Sequence, residues 1–74
     1  MVKIYYTLAD VNKTKGKFFE AIYSSPFTGL VAVHFEYEKR PFKVAVEVKS
    51  KKSVNELVVI VERFSGISPI TIEP

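Results

Sequence analysis

The residues that could do chemistry are few. The one histidine, His34, stands two positions before Glu36 in the run VAVHFEYE. A strand puts residues two apart on the same face, so the pair is within reach of a contact. A zinc site needs three or four protein ligands, and the sequence brings no third candidate near, so a structural pair is expected and no metal. Cysteine is absent, which removes disulfides, thiol nucleophiles and cysteine-based metal sites. Serines are present, but no strand–turn–helix nucleophile elbow or glycine-rich phosphate loop surrounds them. Glu36, Glu38 and Glu47 approach one another if their strands form a hairpin, where neighbouring lysines make them ordinary cross-strand ion pairs. The expectation is a non-enzymatic protein without a cofactor.

Charge is the next signal. The net charge is +3, with lysines and an arginine gathered as Lys13, Lys15 and Lys17, as Lys39, Arg40 and Lys43, and as Lys49, Lys51 and Lys52. Such clusters can contact phosphates. They equally solvate loops and guard strand edges against aggregation, and the interspersed acidic residues favour that plainer role. Nucleic-acid binding therefore ranks second. No apolar run approaches the roughly 18 residues of a membrane span, and Met1 to Ile4 lacks the pattern of a secretory signal. A cytoplasmic protein is expected. Glutamine is absent and asparagine occurs only at Asn12 and Asn55, a scarcity of thermolabile amides that suits a thermophilic source.

These side chains must be positioned by a small number of elements. Val2 to Leu8 is rich in β-branched and aromatic residues and reads as a strand. Asp10 to Gly16 reads as a loop. Lys17 to Ser24 sets Phe18, Phe19, Ile22 and Tyr23 at helical spacing, and Ser25-Pro26 stops that helix. Leu30 to Lys39 and Phe42 to Lys49 alternate with a period of two, the pattern of half-buried antiparallel strands. Lys39-Arg40-Pro41 joins them. Ser53 and Glu56 have the spacing of a capping box, followed by Val54, Leu57, Val58, Val61 and Phe64 as the stripe of an amphipathic helix. Gly66 is the expected left-handed stop, and Pro69 to Ile72 a last short strand.

The order of elements is β-α-β-β-α-β in one domain spanning 1–74. Right-handed crossovers then give an α+β fold of the ferredoxin-like kind, with a four-stranded antiparallel sheet in the order 4-1-3-2 and both helices on one face. The helices cover Val31, Val33, Phe35, Val44, Val46 and Val48. The other face carries Ala32, His34, Glu36, Lys43, Ala45, Glu47 and Lys49, with Tyr5 and Thr7. A domain of 74 residues buries a modest share of its surface, and self-association is a common remedy. Packing two such faces together would cover Tyr5, Ala32, His34 and Ala45 and match glutamates with lysines, so a homodimer or larger oligomer is expected. RNA-recognition motifs share this plan and stack bases on aromatics of the central strands. Here Gly29 to Phe35 echoes one such motif, but on an edge strand, and the outward residues of the third strand include no aromatic.

From Leu30 onward the succession of features resembles the ligand-sensing RAM domain of Lrp/AsnC transcription regulators. The features are Pro26 to Gly29, VAVHFEYE, FKVAVEVKS, SVNELVVIVERF, Ser65-Gly66-Ile67 and Thr71, and upstream Lys15-Gly16-Lys17 matches the glycine before that family's first helix. The resemblance runs from Ile4 to Glu73. None of these features corresponds to the helix-turn-helix that precedes the domain in the regulators, so a protein similar to the stand-alone RAM proteins of archaea is expected. The family's hairpin carries Gly-x-aromatic-Asp, whereas the matching positions here are Arg40, Pro41, Phe42 and Lys43. The resemblance implies dimerisation through the sheets and a role in transcription regulation beside a DNA-binding Lrp-type regulator. It also implies amino-acid binding near Arg40, Phe42 and Lys43, altered by the loss of the aspartate. The alternatives are a small basic nucleic-acid-binding protein and a dimeric α+β barrel enzyme resting on His34.

Overall fold

The computed structural model describes residues 1–24 and 27–74. The chain runs β1 (Val2–Thr7), α1 (Leu8–Lys13), α2 (Lys15–Ile22), β2 (Val31–Glu36), β3 (Lys43–Val48), α3 (Val54–Ser65) and β4 (Thr71–Glu73). All pairings are antiparallel and the sheet order is β2-β3-β1-β4. That is the ferredoxin-like order expected from the succession of elements joined by right-handed crossovers. No helix among the described residues is long and apolar enough to cross a membrane.

The first crossover departs from expectation. Asp10 to Gly16 is helical, in two pieces broken at Thr14. Thr7 ends β1 in extended geometry, and its hydroxyl accepts a bond from the Asp10 N–H at 3.4 Å. Thr-x-x-Asp is an N-cap spelling, and it lies where the β-rich run of β1 masks it. Thr14 leaves helical geometry (φ −125°), and Gly16 falls inside α2 instead of before it. The expected stop at Ser25-Pro26 lies outside the described residues.

The capping box at Ser53 does not form. Lys51–Ser53 is a turn of 3-10 helix, so Ser53 already has helical dihedrals and its side chain caps nothing. An N-cap needs extended geometry to aim its oxygen at the free N–H groups. The other end behaves as expected, with Gly66 at φ +72° donating to the Glu62 carbonyl.

The core lies between the helices and one sheet face. Ile4, Tyr6, Val44, Val46 and Val48 meet Val11, Phe18, Ala21, Ile22, Leu57 and Val61, all sealed from solvent. Phe27, in the loop before β2, is fully buried as well. Two residues of the predicted stripes are exposed: Tyr23, which stacks on Phe19, and Phe64, 52% exposed in the last turn of α3. Each sits at the C-terminal end of its helix. Nor does the helix layer reach all of β2, since Phe35, expected inside, is 46% exposed.

Two glycines make a paired prediction. A Cβ at Gly16 or at Gly66 meets nothing within 4 Å among the described residues, but of the two it is Gly66 that has positive φ. Gly16→Ala is expected to stabilise by about 0.5–1 kcal/mol through helix propensity. Gly66→Ala should destabilise by about 1–2 kcal/mol through left-handed strain. Urea midpoints of the two variants check the opposite signs.

Candidate functional site: the open sheet face and the hairpin end

The sheet face away from the helices is built of three cross-strand rows. The central row is His34–Ala45–Tyr5–Thr71, flanked by Ala32–Glu47–Lys3–Glu73 and Glu36–Lys43–Thr7. The strand period alone puts all of them on one side. The middle is low and already covered within the chain: Ala45 is 1% exposed and Tyr5 9%. Around it stand the longer polar side chains. The face therefore presents a low centre ringed by carboxylates and ammonium groups, in keeping with the mixed face expected from the sequence.

His34 turns to Glu47 and not to Glu36. Its Nε2 lies 3.7 Å from Glu47 Oε2, across the β2–β3 ladder, with the His34 side chain half exposed. Glu47 is the diagonal cross-strand neighbour of His34, and at about 7–8 Å between backbones such neighbours are within reach of long side chains. No three of the acidic residues and the histidine cluster closely enough to share a metal ion among the described residues. Tyr5 is flanked by Glu36 and Glu73. Partial desolvation first, then these carboxylates, hold its hydroxyl pKa above the ordinary 10.0, so Tyr5 is neutral at physiological pH.

The three hairpin residues of the expected ligand site separate. Arg40 and Phe42 stay together, the guanidinium 5.5 Å from the ring centroid in cation–π geometry. They line a shallow cleft of about 390 Å³ with Thr7, Leu8, Asn12 and Pro41, beside the start of α1. The bond from the Leu8 N–H to the Phe42 carbonyl, 2.8 Å, pins the hairpin to that helix. Lys43 lies on the other side of the strand, beside Glu36 and toward Tyr5 and Glu73. The alternation of β3 forces this: Phe42 and Lys43 are adjacent, so they point to opposite faces.

Sequence reasoning missed an aromatic group at the hairpin. Phe35 and Tyr37 lie parallel with centroids 6.3 Å apart, and Tyr37 meets Phe42 edge-on at 5.5 Å. Both Phe35 and Tyr37 are about half exposed. The signal was the spacing of 35 and 37 on an edge strand, where no helix lies over them. The basic clusters at Lys13–Lys17 and Lys49–Lys52 sit at the surface near helix boundaries.

Comparison of the chain with protein-family models, with curated proteins and with solved structures finds no match. The class is defined by the fold alone, a small α+β domain with an open antiparallel sheet.

Proposed function

We propose that the protein is a non-enzymatic, self-associating regulatory module of the cytoplasm, similar to the effector-binding and dimerisation domain of Lrp/AsnC regulators. The observation that carries this reading is the open sheet face. Its rows alternate Glu47, Lys3 and Glu73 on one flank with Glu36 and Lys43 on the other, about an uncharged centre. A second copy, turned by a two-fold axis in the plane between the sheets, can set lysine against glutamate. Such complementarity selects a partner and a register more than it adds affinity. The Arg40–Phe42 cleft is the place for an effector carboxylate, since a guanidinium offers paired donors to one. A DNA-binding Lrp-type regulator would be the larger partner.

Light scattering across a concentration series tests the first part. The expected mass is twice the 8.4 kDa of the chain or a multiple of that, and Ala45→Glu, which raises a charge in the low centre, should reduce it. A persistent monomer defeats the reading. For the cleft, amino acids should raise the melting temperature of the wild type, and Arg40→Ala should abolish the rise. Equal shifts in both would remove Arg40 from the site.

A second reading is favoured by one observation, the exposed Phe35–Tyr37 pair beside Lys39 and Arg40. Aromatics next to cations stack single-stranded bases without sequence preference. A salt-sensitive mobility shift with single-stranded oligonucleotides, lost in Tyr37→Ala, would support it.

A further inference from the structure

The outer edge of β2 has the features of a second interface. Ladder geometry decides which of its backbone groups are occupied. The Lys49 N–H donates to the Leu30 carbonyl at 2.9 Å, which makes Leu30–Lys49 a hydrogen-bonded pair of the β2–β3 ladder. In an antiparallel ladder such pairs alternate with non-bonded ones, so Ala32, His34 and Glu36 also bond inward to β3. The N–H and C=O groups of Val31, Val33 and Phe35 then point away from the sheet. Among the described residues nothing bonds to them, and β2 ends the strand order.

Proteins blunt such edges with lysine, proline, bulges or short strands. The opposite edge is blunted in this way: β4 has three residues and lies between Pro69 and Pro74. β2 has none of these devices. It is six residues long, contains neither lysine nor proline, and pairs with β3 without a bulge. Its outward-bonding residues Val31, Val33 and Phe35 are apolar and lie on the helix side, where Phe35 is 46% exposed.

We infer that β2 pairs antiparallel with β2 of a second copy, joining two sheets into one of eight strands. Self-complementarity sets the register. Centred on Val33, the two-fold axis sets Val33 opposite Val33 and Val31 opposite Phe35, so every outward N–H and C=O of the three residues finds a partner. Shifting the centre to His34 keeps the faces correct but sets Val31 opposite Tyr37, which lies past the end of β2. On the helix side the Val33-centred register lines up only apolar residues from both copies. On the open side it sets His34 against Ala32 and keeps Glu36 away from its own counterpart. This interface is independent of the sheet-face association, because it uses the strand's rim and not its open surface. With both in place, pairs of dimers form.

The test compares wild type, Val33→Pro, Phe35→Lys and Ala45→Glu by light scattering at matched concentrations. Proline at 33 deletes only an outward N–H and leaves the bonds to β3 in place, and Phe35→Lys adds an edge guard at an exposed position. Both are expected to halve the wild-type mass while keeping the wild-type far-ultraviolet circular dichroism. Ala45→Glu should leave the edge pairing intact. Wild-type mass in folded Phe35→Lys overturns the inference. A mass lost in Ala45→Glu but kept in Phe35→Lys leaves the face association standing and removes the edge one. Amide exchange gives a readout free of any variant. The Val31, Val33 and Phe35 amides, unbonded in the isolated chain, should become protected as concentration rises. Fast exchange at every concentration overturns the pairing.

Discussion

Phe18→Ala is expected to leave the chain largely unfolded at 25 °C. Phe18 is fully buried at the centre of the core, edge-to-face with Tyr6 at 5.2 Å and with Phe19 at 5.3 Å. Truncating a buried phenylalanine costs about 3–5 kcal/mol, part lost transfer energy and part cavity. The core of a domain near this size supplies roughly 3–5 kcal/mol in all. The two figures meet, so the variant sits at or below its unfolding midpoint without denaturant. Phe64→Ala is the control: its ring is half exposed at the end of α3, and the change should stay within about 0.5 kcal/mol. Circular dichroism during urea titration reads both. A Phe18→Ala variant that unfolds at the wild-type midpoint would mean that α2 does not anchor on the sheet as described.

Tyr6→Phe works in the opposite direction and should stabilise. Tyr6 is sealed in the core, opposite Val44 in the ladder, and among the described residues its hydroxyl has no hydrogen-bond partner. A buried, unmet hydroxyl forfeits about 1–3 kcal/mol of hydration. Phenylalanine keeps the ring, and with it the contact to Phe18, while removing that cost. With roughly 4–8 °C per kcal/mol for a domain of this size, the melting temperature should rise by several degrees. Burial also pushes the Tyr6 hydroxyl pKa far above its ordinary 10.0. Above about pH 10 the unfolded chain releases the proton and the folded chain keeps it, so the unfolded state binds fewer protons. Stability is then full below pH 10 and falls as pH rises from there toward the folded-state value. Tyr6→Phe should flatten this alkaline decline. An unchanged melting temperature together with an unchanged alkaline slope would show that the hydroxyl reaches water or a partner.

These two residues show unequal legibility. Phe18 could be read as core from helical spacing with Ile22. That Tyr6 would be buried could be read from the strand period, but not that its hydroxyl would find no partner, because this depends on the atoms that α2 lowers onto the sheet. The same division runs through the candidate site. The alternation of Val44, Val46 and Val48 against Lys43, Ala45 and Glu47 determined which face the helices take and which stays open. It could not show that Tyr5 and Ala45 lie low among taller neighbours. Thr7 as a cap and Phe27 as core went unread, the first hidden in a β-rich run and the second in a loop without period.

What the sequence determined by itself is the list of strands, the side of each residue and the order 4-1-3-2. These follow from a local period of two or 3.6 and from the handedness of crossovers, which need no knowledge of contacts. Tertiary structure alone decided that His34 meets Glu47, how far Phe35 and Tyr37 stand clear of the helices, and how low Tyr5 and Ala45 lie among their neighbours. Each of these depends on how far one layer extends over another and on which strands come to lie side by side. Such distances are set by the packing of residues far apart in the chain, and no local pattern encodes them.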